Sequence, residues 1–149
     1  MSQWLVRWGG ALSVVTAVIC ADQLTKVFVP HNHWSIVEPA RNPGVITGWS
    51  PVSLSVLILV SVVVLIGFVA VVGRWAVQLD ISPAIPALVV GGLLAHTIDR
   101  IRFGAVRDFL ATGWLIVDVA DLAVLAGLGA LLVAFAVRLT YLRKSSRTI

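Results

Sequence analysis

The chain predicts an all-α integral membrane protein of four transmembrane helices, with a small extracytoplasmic β element between the first two. Three observations carry this. The composition is 59% hydrophobic and only 12% charged over 149 residues, more apolar surface than a soluble domain of that length can bury. The apolar residues gather into four runs close to the length of about 20 residues that a bilayer requires. The charges between those runs are segregated by sign. The length sets one domain, residues 1–149.

The first run, 9–29, carries Asp22, Gln23 and Lys26 near its far end. Arg7 followed by 11–20 mimics a cleavable export signal, but Ile19 stands where a small residue should precede the cysteine. A retained helix is expected, with Cys20 as a small buried hydrophobe. Cys20 is the sole cysteine, which excludes an intramolecular disulfide and a cysteine-based metal site. The connection 34–50 sets Pro39, Pro43, Gly44 and Gly48 among Ile36, Val37, Val45, Ile46 and Thr47. That is hairpin composition and the source of the expected β element.

The second run, 52–72, has no charge. The third, 83–98, is short, contains Gly91 and Gly92, and leads into His96 and Asp99. The fourth, 115–139, holds Asp118 and Asp121 in its first turns. Lipid admits only helices or closed barrels, and runs of this length exclude strands. The basic tail 143–149 is expected to lie against anionic headgroups.

Four spans place both termini on one side. Arg7, Arg74, Arg138, Arg143, Lys144 and Arg147 lie there, opposed by Asp80 alone. The other side balances Lys26, Arg41, Arg100, Arg102 and Arg107 with Asp22, Glu38, Asp99, Asp108, Asp118 and Asp121. The unopposed positive side is cytoplasmic by the positive-inside rule, with Trp4, Trp8 and Trp75 at its interface and Trp34, Trp49 and Trp114 at the outer one. This explains the net charge of +4. The basic residues form no stripe interleaved with aromatics, so nucleic acid is not an expected partner. The chemistry is expected at the extracytoplasmic surface.

The polar residues admit bland and functional readings. Asp22 and Lys26 are four apart and can pair on one helix face, as a structural ion pair or as groups facing a substrate. Asn42-Pro43-Gly44 is a turn signal. His96, Asp99 and Arg100 share one helical face. His96 with Asp99, Asp108 and Asp121 would be a thin ligand set for zinc, and Asp99 with Arg100 reads better as part of a fixed ion-pair framework. Asp108 falls in the short loop before the fourth run and Asp121 about 9 Å into it, at 1.5 Å per residue. Two close carboxylates cannot both ionise readily, so one holds a proton while the other takes one from water. Equally, both could anchor a helix end whose N-terminus favours negative charge. Asp118, three residues before Asp121, adds a third carboxylate that could pair with Arg107 or Arg100.

The residues resemble a known family, the lipoprotein signal peptidases (type II signal peptidases). Asp22-Gln23-Leu24-Thr25-Lys26 resembles its D-Q-x-x-K block, and Arg41-Asn42-Pro43-Gly44-Val45 its N-x-G-A segment. The stretch from Gly91-Gly92 through His96 to Asp99-Arg100 resembles G-G-A-x-G-N-x-x-D-R. Val106-Arg107-Asp108-Phe109-Leu110 resembles V-V-D-F-I, and Asp118-Val119-Ala120-Asp121 resembles N-x-A-D. Each block is weak alone; their order and spacing are specific.

The resemblance implies an aspartic endopeptidase of the bacterial cytoplasmic membrane, with Asp108 and Asp121 as the catalytic dyad and no metal or cofactor. The implied substrate is a prolipoprotein, cut before its diacylglyceryl-modified cysteine. Asp22, Lys26, Asn42, Asp99 and Arg100 would support the site, and the β element would form a cradle over the groove. Membrane lipids are the other implied partners, and a monomer is expected. Two positions depart from the pattern. His96 and Asp118 both stand where the family has asparagine. An ionised Asp only accepts hydrogen bonds, whereas Asn also donates. His96 could compensate by donating to Asp118, which makes the two changes a matched pair. A non-catalytic relative that binds lipoproteins or lipid is the alternative. A small proton-coupled transporter fits less well, because its ionisable groups should lie near the midplane.

Overall fold

The structure, a computed structural model, describes residues 3–29, 35–44 and 52–145. Helices α1 (Gln3–Phe28), α2 (Leu54–Gln78), α3 (Ala84–Phe103) and α4 (Val119–Ser145) are joined by strands β1 (Val37–Asn42), β2 (Val106–Ala111) and β3 (Ile116–Val117). All four helices are long and apolar enough to cross a membrane. The mostly helical, four-span class therefore holds. All four helices run past one end of their apolar runs, α1 at its start and α2, α3 and α4 at their ends, because in lipid the backbone stays hydrogen-bonded until water or another partner replaces the helix. The fourth starts at Val119 rather than 115. Leu115 stays outside it, and Ile116 and Val117 form β3 instead.

α3 is the hub, packed on α1, α4 and α2. Its adjacent glycines serve different neighbours. A Cβ on Gly91 would stand 2.8 Å from Val18 Cβ of α1, and one on Gly92 would stand 2.6 Å from the Ala120 carbonyl oxygen of α4. α2 is the opposite case. Only Leu57 and Ala76 of it are buried, while Leu59, Val63 and Ile66 are exposed, as befits a helix facing lipid. Cys20 is also exposed, which corrects its reading as a buried hydrophobe. It lies on the outside of a bundle whose solvent is apolar.

α2 ends in a Schellman motif. The N–H of Ile81 reaches the Ala76 carbonyl at 2.8 Å and that of Asp80 the Val77 carbonyl at 3.2 Å, with Asp80 in the left-handed region at φ +53°. Asp80 then ties three helices together, pairing with Arg7 at 3.0 Å and with Arg138 at 3.8 Å.

At the other end of the bundle sits an antiparallel sheet of order β1-β2-β3. Ala40 pairs with Asp108 and Asn42 with Val106, and an irregularity between Val37 and Ala40 accommodates Pro39. The β element thus draws one strand from the first connection and two from the stretch between α3 and α4, which was expected to be a loop. The expected hairpin partly involves 45–50, which, like Trp34 and Trp49, lies outside the described residues. α3 stops at Gly104, whose φ of +73° supplies the left-handed turn into β2.

Candidate active site

Lys26 organises the sheet end of the bundle. Its side chain is fully buried, and Nζ lies 2.8 Å from Asp22, 2.9 Å from Asp99 and 2.5 Å from Asp118. Carboxylates from α1, α3 and the start of α4 therefore converge on one ammonium. The pairing of Asp22 with Lys26 along one helix is present, but it is one third of the arrangement. Asp22, Asp99 and Asp118 are close enough to hold a metal ion; the lysine ammonium already supplies the cation there.

Each carboxylate spends its remaining oxygen on a neighbouring element. Asp22 Oδ1 accepts the Ala120 N–H at 3.1 Å, satisfying an orphan donor in the first turn of α4. Asp99 accepts from Arg107 Nη2 at 2.8 Å, from the Arg107 N–H at 3.1 Å and from Gln23 Nε2 at 3.0 Å. Arg107 also donates to Gln23 Oε1 at 3.0 Å and lies 3.9 Å over the Phe103 ring. Arg107 thus pairs with Asp99, not with Asp118. Gln23 and Arg107 were missing from the expected set of supporting residues, although both stand inside the motif blocks.

Asp118 and Asp121 cap α4 reciprocally. Asp118 Oδ1 accepts the Asp121 N–H at 2.8 Å, and Asp121 Oδ2 accepts the Asp118 N–H at 3.1 Å. This is a capping box built from two aspartates. Asp121 is therefore in the first turn of α4, not deep within the helix. The anchoring takes one of its oxygens. The other, Oδ1, faces His96 Nε2 at 3.5 Å, and the side chain is 35% exposed. His96 Nε2 also lies 3.2 Å from Asp118 Oδ1, so the two positions that depart from the family pattern meet. His96, Asp118 and Asp121 could present three ligand atoms to a metal, but Asp118 is already bound to Lys26.

Asp108 enters from β2. It is buried, its Oδ1 has no hydrogen-bond partner among the described residues, and it borders a cleft of about 270 Å³ with Lys26, Pro39, Arg41 and Phe109. Burial, followed by repulsion from Asp118 and Asp121, pushes its carboxyl up to about 6 against the pull of Lys26 and His96. Asp118 goes the other way. Burial opposes its charge, but His96 and Lys26 outweigh burial and hold the carboxyl well below its usual range.

The helical face shared by His96, Asp99 and Arg100 divides among three tasks. His96 meets Asp118, Asp99 enters the lysine cage, and Arg100 donates to the Gly44 carbonyl at 3.2 Å and to Ser61 Oγ at 3.5 Å. Asn42 Oδ1 accepts the Gly44 N–H at 3.1 Å, so Arg100 fastens the turn that Asn42 shapes. The fields of Asp108 and Asp121 both act on Arg100.

Fold and site together define a small multi-pass membrane protein whose ionisable groups converge under a three-stranded sheet at one end of the bundle. The profile of the signal peptidase (SPase) II family matches residues 14–137, and the chain belongs to that family. It is an inner-membrane peptidase. It is 29% identical to a lipoprotein signal peptidase of Nitrobacter hamburgensis over 150 residues, covering 83% of this chain and 88% of that one. It is 32% identical to one of Syntrophus aciditrophicus over 142 residues, covering 78% and 86%. A bacterial membrane enzyme solved by the in meso method at 2.3 Å resolution shares the fold, with a TM-score of 0.70 at 19% identity, covering 95% of this chain and 92% of that one.

Proposed function

We propose that the chain is a lipoprotein signal peptidase with an aspartic mechanism, in which Asp108 and Asp121 form the dyad. The observation that carries this reading is the pair of spare carboxylate oxygens. Asp108 Oδ1 has no partner among the described residues, and Asp121 Oδ1, once Oδ2 has capped α4, has only His96 Nε2 at 3.5 Å, a nitrogen that lies nearer to Asp118. Every other carboxylate of the cluster is engaged on a cation or a backbone donor.

The environments of the two groups suggest their roles. Asp108, buried and pushed up to about 6, holds the proton shared by the pair. Asp121, half-exposed and backed by the Asp118 N–H, holds the negative charge and takes a proton from the attacking water. The water oxygen adds to the scissile carbonyl carbon, and Asp108 supplies its proton to the carbonyl oxygen. Collapse of the adduct breaks the C–N bond as Asp121 passes the proton it took from water to the departing amine of the lipidated cysteine and Asp108 recovers a proton from a hydroxyl of the adduct. The products are a signal peptide with a new carboxyl group and a lipoprotein beginning at its diacylglyceryl cysteine.

Charge counting supports a single shared proton. Five carboxylates (Asp22, Asp99, Asp108, Asp118 and Asp121) face three permanent cations (Lys26, Arg100 and Arg107). One proton on the dyad and one on His96 make this buried set neutral, the state that low dielectric favours. In that state His96 and Asp118 replace two neutral asparagines with a pair of zero net charge. The excess of Arg and Lys at the Asp80 end supports a topology with that end in the cytoplasm and the sheet outside. Cleavage of a lipidated prolipoprotein peptide by the wild type, and its loss in Asp108→Asn and Asp121→Asn, tests the proposal. Binding without cleavage by the wild type would make the chain a lipoprotein-binding relative instead.

A further inference from the structure

A second cavity lies far from the dyad, at the Asp80 end. α1 and α2 both lean on α3 but hardly touch each other, which leaves a groove of about 800 Å³ walled by residues such as Val15, Phe68 and Ala87. Two arginines, Arg7 and Arg74, line it along with Trp8. Arg7 is paired with Asp80 at 3.0 Å. Arg74 is exposed and has no hydrogen-bond or ion-pair partner among the described residues. Trp75, next to it, is 55% exposed. The groove is thus apolar along its length and cationic at one end, in a helix bundle that crosses a bilayer.

We propose that this groove holds one anionic glycerophospholipid, with an acyl chain against Val15 and Phe68 and the phosphate between Arg7 and Arg74. A basic pocket between transmembrane helices is a recognised setting for acidic headgroups. An unpaired guanidinium there gains from a phosphate what it lacks from the protein, a bidentate anionic partner. Arg7, Arg74 and Arg138 together exceed the single charge of Asp80, which pairs with Arg7 and Arg138, and this positive excess selects against a cationic headgroup at the same place. The site is independent of the peptidase reading, since it shares no residue with the dyad or the lysine cage. The occupant acts as a wedge that fixes α2 relative to α1.

Native mass spectrometry of the full chain from neutral detergent, with phosphatidylglycerol or phosphatidylcholine added, tests this. Phosphatidylglycerol should give a one-to-one adduct at several-fold lower concentration than phosphatidylcholine. Arg74→Gln should weaken the phosphatidylglycerol adduct about fivefold and the phosphatidylcholine adduct by less, narrowing the preference between them. Gly73 lines the groove, and a Cβ there meets nothing within 4 Å. Gly73→Phe should therefore plug the groove without disturbing the bundle, abolishing the adduct while helicity by circular dichroism is retained. Equal retention of both lipids, an adduct that survives Gly73→Phe, or a protein dimer dissolved by Gly73→Phe would each overturn the assignment.

Discussion

His96 Nε2 lies 3.2 Å from Asp118 Oδ1 and 3.5 Å from Asp121 Oδ1. One imidazole therefore faces both the cap of α4 and the proposed base. The capping box fixes Asp118 and Asp121 relative to each other, and Lys26 fixes Asp118 relative to α1 and α3. The proposed dyad is half built on a helix start and half on a strand, and His96 joins the helical half to α3.

The pairing of His96 with Asp118 predicts non-additive mutants. His96→Asn leaves Asp118 charged beside Asp121 without its second cation, and Asp118→Asn leaves His96 without its stronger partner. Each single change should lower kcat/KM more than about tenfold, and the double change should recover most of it. Steady-state cleavage by the four proteins checks this; purely additive losses would break the pairing.

The raised carboxyl of Asp108 predicts an alkaline limb. The proposed acid must carry its proton, so kcat/KM should decline above about pH 6, and it should also fall at acid pH where the Asp121 base is itself protonated. A protonated His96 pulls the Asp108 carboxyl down, so His96→Asn should move the limb to higher pH. The sign for stability follows from the same group. Its folded value lies above its unfolded value of 3.8, so the native state holds the extra proton between the two. Asp108 thus costs stability increasingly from pH 4 to 6, on the order of 3 kcal/mol once ionised. Asp108→Asn should flatten that part of the stability profile.

Lys26→Met should be severely destabilising. It removes the one ammonium shared by three buried carboxylates, and breaking such a cluster from one side costs about 3–5 kcal/mol. Thermal unfolding in detergent reads the loss. Acidification should recover part of it, because protonated carboxyls no longer repel. A variant as stable as the wild type at neutral pH would mean that the cage contributes little.

Gly92→Ala tests the packing behind the site. Its Cβ would stand 2.6 Å from the Ala120 carbonyl oxygen, so α4 must shift at the turn that holds Asp118 and Asp121. Overpacking of this kind costs about 1–3 kcal/mol. The melting point should fall, and kcat should fall with it. Gly67→Ala, where a Cβ meets nothing within 4 Å, is the control and should change neither.

The helices were legible because hydropathy over twenty residues is a strong signal in a bilayer. The ends were less so. Leu115, Ile116 and Val117 continue the apolar run of the fourth span, but Ile116 and Val117 pair with Ala111 and Leu110. The Asp118–Asp121 spacing was the better sign of where α4 begins. β2 was invisible for another reason. Its sequence, VRDFLA, lacks a clean alternation, and its partner β1 is distant in the chain. The residues that converge were readable as motifs, but their partners were not. Helical spacing alone joined Asp99 to Arg100, whereas Asp99 reaches across to Lys26 and Arg107.

The most direct test of the dyad is the rate at which a lipidated prolipoprotein peptide is cut, with Asp108 and Asp121 replaced one at a time by asparagine. Asparagine keeps the shape and much of the hydrogen bonding, so both proteins should fold with unchanged melting behaviour near pH 4, where Asp108 is itself neutral. Each should lose at least about a thousandfold in kcat, the scale on which acid–base groups and the water they activate contribute together. Cleavage at a rate near that of the wild type in either variant would contradict the dyad.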